Sequence, residues 1–307
     1  MTVSAVELDG CRCAVVIIAP SDDPPLKYRG RVWVRVGTST LVASAQDERI
    51  LVERRSSRDL PADHRPVGDA ALANLDLEFF RTTYLPAAYA PDVLDANGRS
   101  EEQQLVALRF LVGTRPTLGG ILVLGRDPQR FVPGAYVQFV AFDGTSVTDE
   151  ALDQKVISGR IDAVARALLE LLLLAVPVAL TRDEGPTDTK RALYSLPALR
   201  ELTINALMHR DYWGGNAPVR LYVFRDRIEI WNPGGPYGSV RRETFERGGV
   251  TAYRNPVVAE ALKTLGFAQQ FGFGIPFARE ALVKNGNPLP EFQVENGYVN
   301  VIVRAAK

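Results

Sequence analysis

Three polar residues recur at four-residue spacing in the stretch Leu199 to Tyr212 (LRELTINALMHRDY): Glu201, Asn205 and His209. On a helix that spacing stacks them along one face. Leu199, Leu202, Ile204, Ala206, Leu207 and Met208 cover most of the remaining circumference, and a helix that is apolar nearly all round is normally buried. A buried carboxylate, amide and imidazole need partners, because each unpaired group costs a few kcal/mol. A polar ligand is one such partner; a solvated face is the other reading of the stripe. Glu201 is of the type that orients or deprotonates a water, and Asn205 offers a neutral oxygen of the kind Mg2+ accepts.

Two further groups carry chemistry. Asn232 ends a strand and is followed by Pro233, Gly234 and Gly235. Its amide both donates and accepts, so it can read the edge of a purine, and the glycines let backbone approach a flat ring. Gly272-Phe-Gly274 opens a helix, where unpaired N–H groups and the positive dipole end favour phosphate. NPGG is also a common turn, and the short glycine pair is not the full dinucleotide fingerprint.

The elements that must hold these groups follow from pattern. Near the start, 12–19 reads as a strand, and Arg31–Val36 alternates with Val32, Val34 and Val36 on one face. A helix is expected over Ser44–Arg55. Helices are expected at Leu75–Leu85, Ser100–Val112 and Leu152–Ala175, and strands at Gly120–Leu124 and Ala135–Phe142. Thr181–Thr189 (TRDEGPTDT) reads as a domain boundary. After the Glu201 helix, Val219–Phe224 and Arg227–Trp231 read as strands, and Gly238–Thr251 as a mobile loop. Asn255-Pro256 starts a helix with Asn at the N-cap and Pro at the first helical position. Ile275–Lys284 is the next helix, and Asn296-Gly297 turns a final hairpin.

Composition narrows the class. The chain has 307 residues, 46% hydrophobic and 23% charged, with Lys+Arg and Asp+Glu both 36. No global field steers it toward nucleic acid or membrane. Arg49, Arg54, Arg55, Arg58 and Arg65 are interleaved with Glu48, Glu53, Asp59 and Asp63, which reads as a solvated face. Cys11 and Cys13 are the two cysteines; they make neither a zinc set nor a comfortable disulfide, which suits a reducing, cytoplasmic setting. The run Ala165–Leu180 is interrupted by Arg166, Glu170 and Pro177, so no membrane span is expected.

The blocks ALREL-TINALMHRDY, RIEIWNPGG and RNPVVAEALKTLGFAQQFGFGI, in that order, resemble the C-terminal ATPase module of RecG-like transcriptional regulators of the GHKL superfamily, over about residues 190–303. Upstream, AVVIIAPSDDPPLKYRGRVWVRVGTST is similar to the second half of a Schlafen-type AlbA domain, and PTLGGILVLGRDPQRFVPGAYVQFVAFDGT to the connector between the two. The resemblance implies an α+β chain ending in a two-layer α/β sandwich of the Bergerat ATP-binding type. Its domains would be a partial AlbA-like unit at 1–60, an α/β connector at 61–185 and the ATP-binding unit at 186–307. It implies ATP and Mg2+ as cofactors and slow hydrolysis at most. Glu201 falls where the family has its water-activating base and Asn205 where it has a magnesium ligand. His209 and Arg210 close that block and join the nucleotide-binding candidates. Asn232 stands where the superfamily usually has an adenine-binding Asp, with Gly234 and Gly235 beside it, and Gly272 and Gly274 on the phosphate side. Gln269 and Phe273 depart from the family's usual Glu and small residue. A regulatory or DNA-associated role is implied, with nucleotide as partner and DNA and a second copy of the chain as further candidates.

Two rivals stand beside it. One is a winged-helix DNA-binding module, with Pro256–Leu265 and Ile275–Lys284 as the helix pair and the Asn296-Gly297 hairpin as wing. Its second helix offers only Arg279 and Lys284 against Glu280, thin for phosphate contact. The other is a degenerate ATPase fold kept as an oligomerisation scaffold, its hollow filled by Phe273.

Overall fold

Period-two patterning near the N terminus yields strands, as expected. In the computed structural model, which describes residues 2–8, 11–17, 25–36, 38–176, 178–181, 189–238, 240, 242, 245, 252–268 and 274–306, β1 (Thr2–Leu8) pairs antiparallel with β2 (Cys11–Ile17). β3 (Lys27–Tyr28), β4 (Arg31–Val36) and β5 (Ser39–Val42) form a second antiparallel sheet. The β3–β4 turn has Arg29 and Gly30 both at positive φ, 50° and 75°, the conformation that matches strand twist in tight hairpins. α1 (Ala45–Asp59) starts on a reciprocal cap, Ser44 N–H to Asp47 Oδ2 and Asp47 N–H to Ser44 Oγ. Residues 1–58 form one unit and 59–307 another.

The second unit opens with α2 (Leu77–Phe79), a π-helical passage over Phe80–Tyr84, α3 (Leu85–Ala88), α4 (Pro91–Asp95) and α5 (Glu101–Ala107). The short pair β6 (Leu111–Val112) and β7 (Arg115–Pro116) leads into α6 (Leu118–Leu124). Then come β8 (Val137–Phe142), β9 (Ala151–Ile157), α7 (Ile161–Ala175) and the hairpin of β10 (Val178–Thr181) with β11 (Thr189–Ala192). α8 (Leu196–His209), β12 (Val219–Val223), β13 (Arg227–Pro233), α9 (Pro256–Thr264), α10 (Gly274–Lys284), β14 (Glu291–Val294) and β15 (Tyr298–Arg304) complete it.

Six strands make the central sheet in the order β14-β15-β13-β12-β8-β9. β12 runs parallel to β8, with Val219 opposite Val137; the other pairings are antiparallel. Alternate residues face inward: Val137 and Phe139, Leu221 and Val223, Ile228 and Ile230, Val301 and Val303 share one core with the buried sides of α6 to α10. Val140, Phe142 and Phe224 cluster on the opposite face. The fold is α+β, a sheet layered with helices, as the sequence led us to expect. β8 and β9, from the segment read as a connector, belong to the same sheet as β12 to β15.

Several local expectations are corrected. Gly120–Leu124 is helix, not strand. All seven residues of α6 are buried, so the run shows no polar face to reveal its period. Thr117 caps it, its Oγ1 accepting from Gly120 N–H while its hydroxyl donates to Arg109 O. The single helix expected over Leu152–Ala175 is split. Its first part is β9, an edge strand with most side chains exposed, and α7 begins only after Gly159 at φ 118°. The hairpin offered as a wing is instead β14–β15, built into the sheet with Val299 to Val303 buried, so a winged-helix arrangement does not form there. Residues 182–188, Gly272, Phe273, Gln269 and most of 239–251 lie outside the described residues. Among the described residues no helix is long and apolar enough to cross a membrane.

Candidate functional site

α8 forms as its sequence demands. Pro197 sits in its first turn, and Ala198, Leu199, Leu202, Ile204, Ala206, Leu207 and Met208 are all buried. Glu201 is buried too, and Asn205 Nδ2 donates to its Oε1 at 3.5 Å. Burial pushes the Glu201 carboxyl up, against the pull of Arg200 and the Asn205 amide. A carboxylate raised in this way is a better proton acceptor near neutral pH. With its nitrogen turned to Glu201, Asn205 has Oδ1 as the acceptor end of its amide.

One turn on, His209 stacks on Tyr253, ring centroids 5.7 Å apart and 10° from parallel. Burial, reinforced by the Arg254 charge, drives its imidazole down to about 4. It is therefore neutral at pH 7 and offers hydrogen bonds rather than charge.

β13 delivers Asn232 from the sheet side. It is 7% exposed, and among the described residues its Oδ1 has no hydrogen-bond partner. Gly234 follows at φ 101°, with its N–H bonded to Gly297 O. A methyl group there would strike Arg254 and Asp211, and one at Gly235 would strike the backbone of Glu295 and Asn296. The two glycines are thus needed to seat this loop on the β14–β15 turn, a role the sequence reading did not foresee.

A cavity of about 160 Å³ opens between these elements. It is on the scale of the ~150 Å³ hollow that admits a benzene ring. Glu201, Asn205 and His209 line one side, Asn232, Gly234 and Gly235 another, and Gly274 the mouth of α10. Ile230, Val299 and Val301 supply a carbon floor from the sheet. A methyl group on Gly274 would collide with Glu201 Oε1 and Asn205 Nδ2, so only glycine leaves that corner open.

Arg210 does not line this cavity. It is buried over the Tyr212 ring at 4.6 Å and donates to Ala217 O at 2.8 Å, holding the loop before β12. Burial lowers its guanidinium, and Tyr212 and Asp211 oppose that.

Sequence reasoning missed the frame around the cavity. Asp211 N–H bonds Pro233 O, and its Oδ1 accepts from Trp213 and Gly214 N–H. Arg254 donates to Gly235 O at 3.0 Å and sits 3.6 Å from Asp211 Oδ2. Asn255 is at the start of α9 but does not cap it with its side chain. Its Nδ2 donates instead to Met208 O and Arg210 O, closing the end of α8. The cap comes from Asp63, 194 residues back along the chain, whose Oδ2 accepts from Val257 N–H at 2.7 Å and Val258 N–H at 3.1 Å. Asp63 is fully buried rather than part of a solvated face.

Residues 216–303 match a family model described as "Putative ATP-dependent DNA helicase recG C-terminal", an ATPase-like domain. Among solved structures, the DIP2311 protein from Corynebacterium diphtheriae is similar at 18% identity and TM-score 0.60, over 100% of this chain and 59% of that one. The chain thus spans little more than half the length of that protein, and the likeness is one of fold. No curated protein matches.

Proposed function

We propose that the cavity binds ATP with Mg2+, in the manner of the Bergerat-type ATPases, and hydrolyses it slowly at most. The observation that carries the reading is convergence: three blocks separated in sequence, Glu201–Asn205, Asn232–Gly235 and Gly274, line one hollow. The residues fit the ligand. Asn232 Oδ1 is a buried acceptor without a partner among the described residues, as an exocyclic amine requires, and the carbon floor suits a flat base. Gly274 keeps the space beside Asn205 and the start of α10 open for phosphate.

Among the described residues no cluster of three or more His, Cys, Asp or Glu could hold a metal alone. Mg2+ would therefore rest on Asn205 and the phosphates, and when bound it neutralises triphosphate charge. Glu201, held by Asn205 and raised by burial, takes a proton from a water placed beside it. His209 remains neutral and positions by hydrogen bonding. Arg254, Asp211 and Asn255 are positioning residues that fix the loop of Gly235 and the end of α8. We extend the proposal to a cytoplasmic, regulatory, DNA-associated role; the name of the matching family model, which mentions a DNA helicase, bears on the DNA-associated part alone.

The test is thermal unfolding with Mg-ATP. Ligand at 100 times its Kd adds about 2.7 kcal/mol of stability, a shift of several degrees for a unit of this size. Asn205→Ala should remove the Mg-dependent part. No shift at millimolar Mg-ATP would sink the reading.

A further inference from the structure

We infer that the cavity accepts 6-oxo as well as 6-amino purine nucleotides, with Asn232 the residue that decides. The inference rests on the reading of the cavity as a nucleotide site and concerns which base it takes.

Four asparagines of the second unit are buried: Asn232, Asn255, Asn287 and Asn300. Three of them have the amide nitrogen anchored to a protein oxygen. Asn255 Nδ2 donates to Met208 O and Arg210 O. Asn287 Nδ2 donates to Leu193 O and Arg304 O, while its Oδ1 accepts from Ser195 N–H and Asn285 Nδ2. Asn300 Nδ2 donates to Gln293 Oε1. Those amides have one orientation each. Asn232 is the exception: among the described residues no protein group bonds either end of its side-chain amide, and its Oδ1 is orphaned. It is also the one of the four that lines the cavity.

An amide carries one acceptor and a two-proton donor on adjacent atoms. The edge of adenine offers a donor, the 6-amine, beside an acceptor, N1. The edge of a 6-oxo purine offers the reverse, an acceptor at O6 beside a donor at N1. A half-turn of the Asn232 amide exchanges its two ends and converts one match into the other. Among the described residues no hydrogen bond opposes that half-turn. A carboxylate at this position would only accept: it would take the 6-amine and face the N1 lone pair of adenine, or take the N1–H and face O6, keeping one bond to either edge. A site with a fixed polar group rejects the wrong partner because a buried group is left unpaired; a group free to reverse does not.

The experiment is calorimetric titration of the full chain at pH 8 with Mg-ATP and with Mg-inosine triphosphate, which carries the 6-oxo edge without a 2-amino group. The two dissociation constants should lie within about tenfold. Asn232→Asp, which keeps one bond to either edge, and Asn232→Ala, which keeps none, should each weaken both nucleotides alike. An unmodified protein that binds ATP more than about tenfold tighter than inosine triphosphate overturns the inference and leaves the ATP site standing. A loss confined to one of the two nucleotides in Asn232→Ala overturns it too. If neither nucleotide binds, both readings fall together. The comparison in the unmodified protein needs no variant to fold.

Discussion

Asp63 makes a prediction whose sign runs against the usual behaviour of a paired carboxylate. Its Oδ2 caps α9 through two backbone N–H groups, yet its Oδ1 is buried with no hydrogen-bond partner among the described residues. Burial outweighs the two N–H groups and the Arg109 charge, and pushes the carboxyl from 3.8 up to about 7. The folded state therefore holds the proton that the unfolded chain releases above pH 4. Stability conferred by this group is fully present below the unfolded value and is lost as pH rises toward 7. Between pH 6 and pH 8 the loss works out at about 1 kcal/mol, or roughly 2–4 °C in melting temperature for a unit of this size. The two histidines also act in that window with the opposite sign, and their contribution cancels in the comparison of the unmodified chain with Asp63→Asn. His64 and His209 are both held down to about 4, so their contribution appears above the unfolded histidine value and is lost on acidification through about 4. Asp63→Asn keeps an acceptor for the two N–H groups and removes the proton. Denaturant midpoints of the unmodified chain and Asp63→Asn at half-unit steps from pH 6 to 8 measure the difference. The unmodified chain should lose ground steadily relative to the variant. A difference that is flat, or that favours the unmodified chain at pH 8, refutes the reasoning.

Gly274→Ala places a methyl against Glu201 Oε1 and Asn205 Nδ2. Those are the ends of side chains, so titration should read Mg-ATP affinity down by about tenfold or more while the melting temperature hardly moves. Asn255→Ala strips Met208 O and Arg210 O of their shared donor in a fully buried place. It should cost roughly 3 kcal/mol in denaturant unfolding, since two carbonyls lose a partner that water cannot replace.

What the sequence made legible depends on how local the cause is. Glu201, Asn205 and His209 could be placed on one face because helical spacing is a property of neighbours. The Asn255-Pro256 start and the Asn296-Gly297 turn were legible for the same reason. The all-buried run of α6 was misread because a segment covered on every side carries no period, although Thr117 ahead of it was an N-cap signal that could have corrected the choice. β9 was misread because an edge strand with solvent on most of its side chains has no apolar alternation to show. Asp63 and Arg254 could not be assigned at all: their partners lie far along the chain or across a loop, and no spacing rule links them. Asn232 was identified as a reader of a base edge, but that its amide stands unanchored is a fact of packing alone.

The parallel rung between β8 and β12 sets an order of assembly. β8 and β9 precede β12 in the chain, so a β8–β9 hairpin that pairs during synthesis has one flank of β8 unpaired while α7 and α8 are made. Exposed strand flanks invite association with other chains, and the long wait favours a helper that shields nascent polypeptide, or early docking of α7. β13 and β15, which floor the cavity, are then laid onto a template already formed. Because Val299 and Val301 floor the pocket, the hollow is complete only once β15 has been made, and a chain halted before it would carry the template without the hollow.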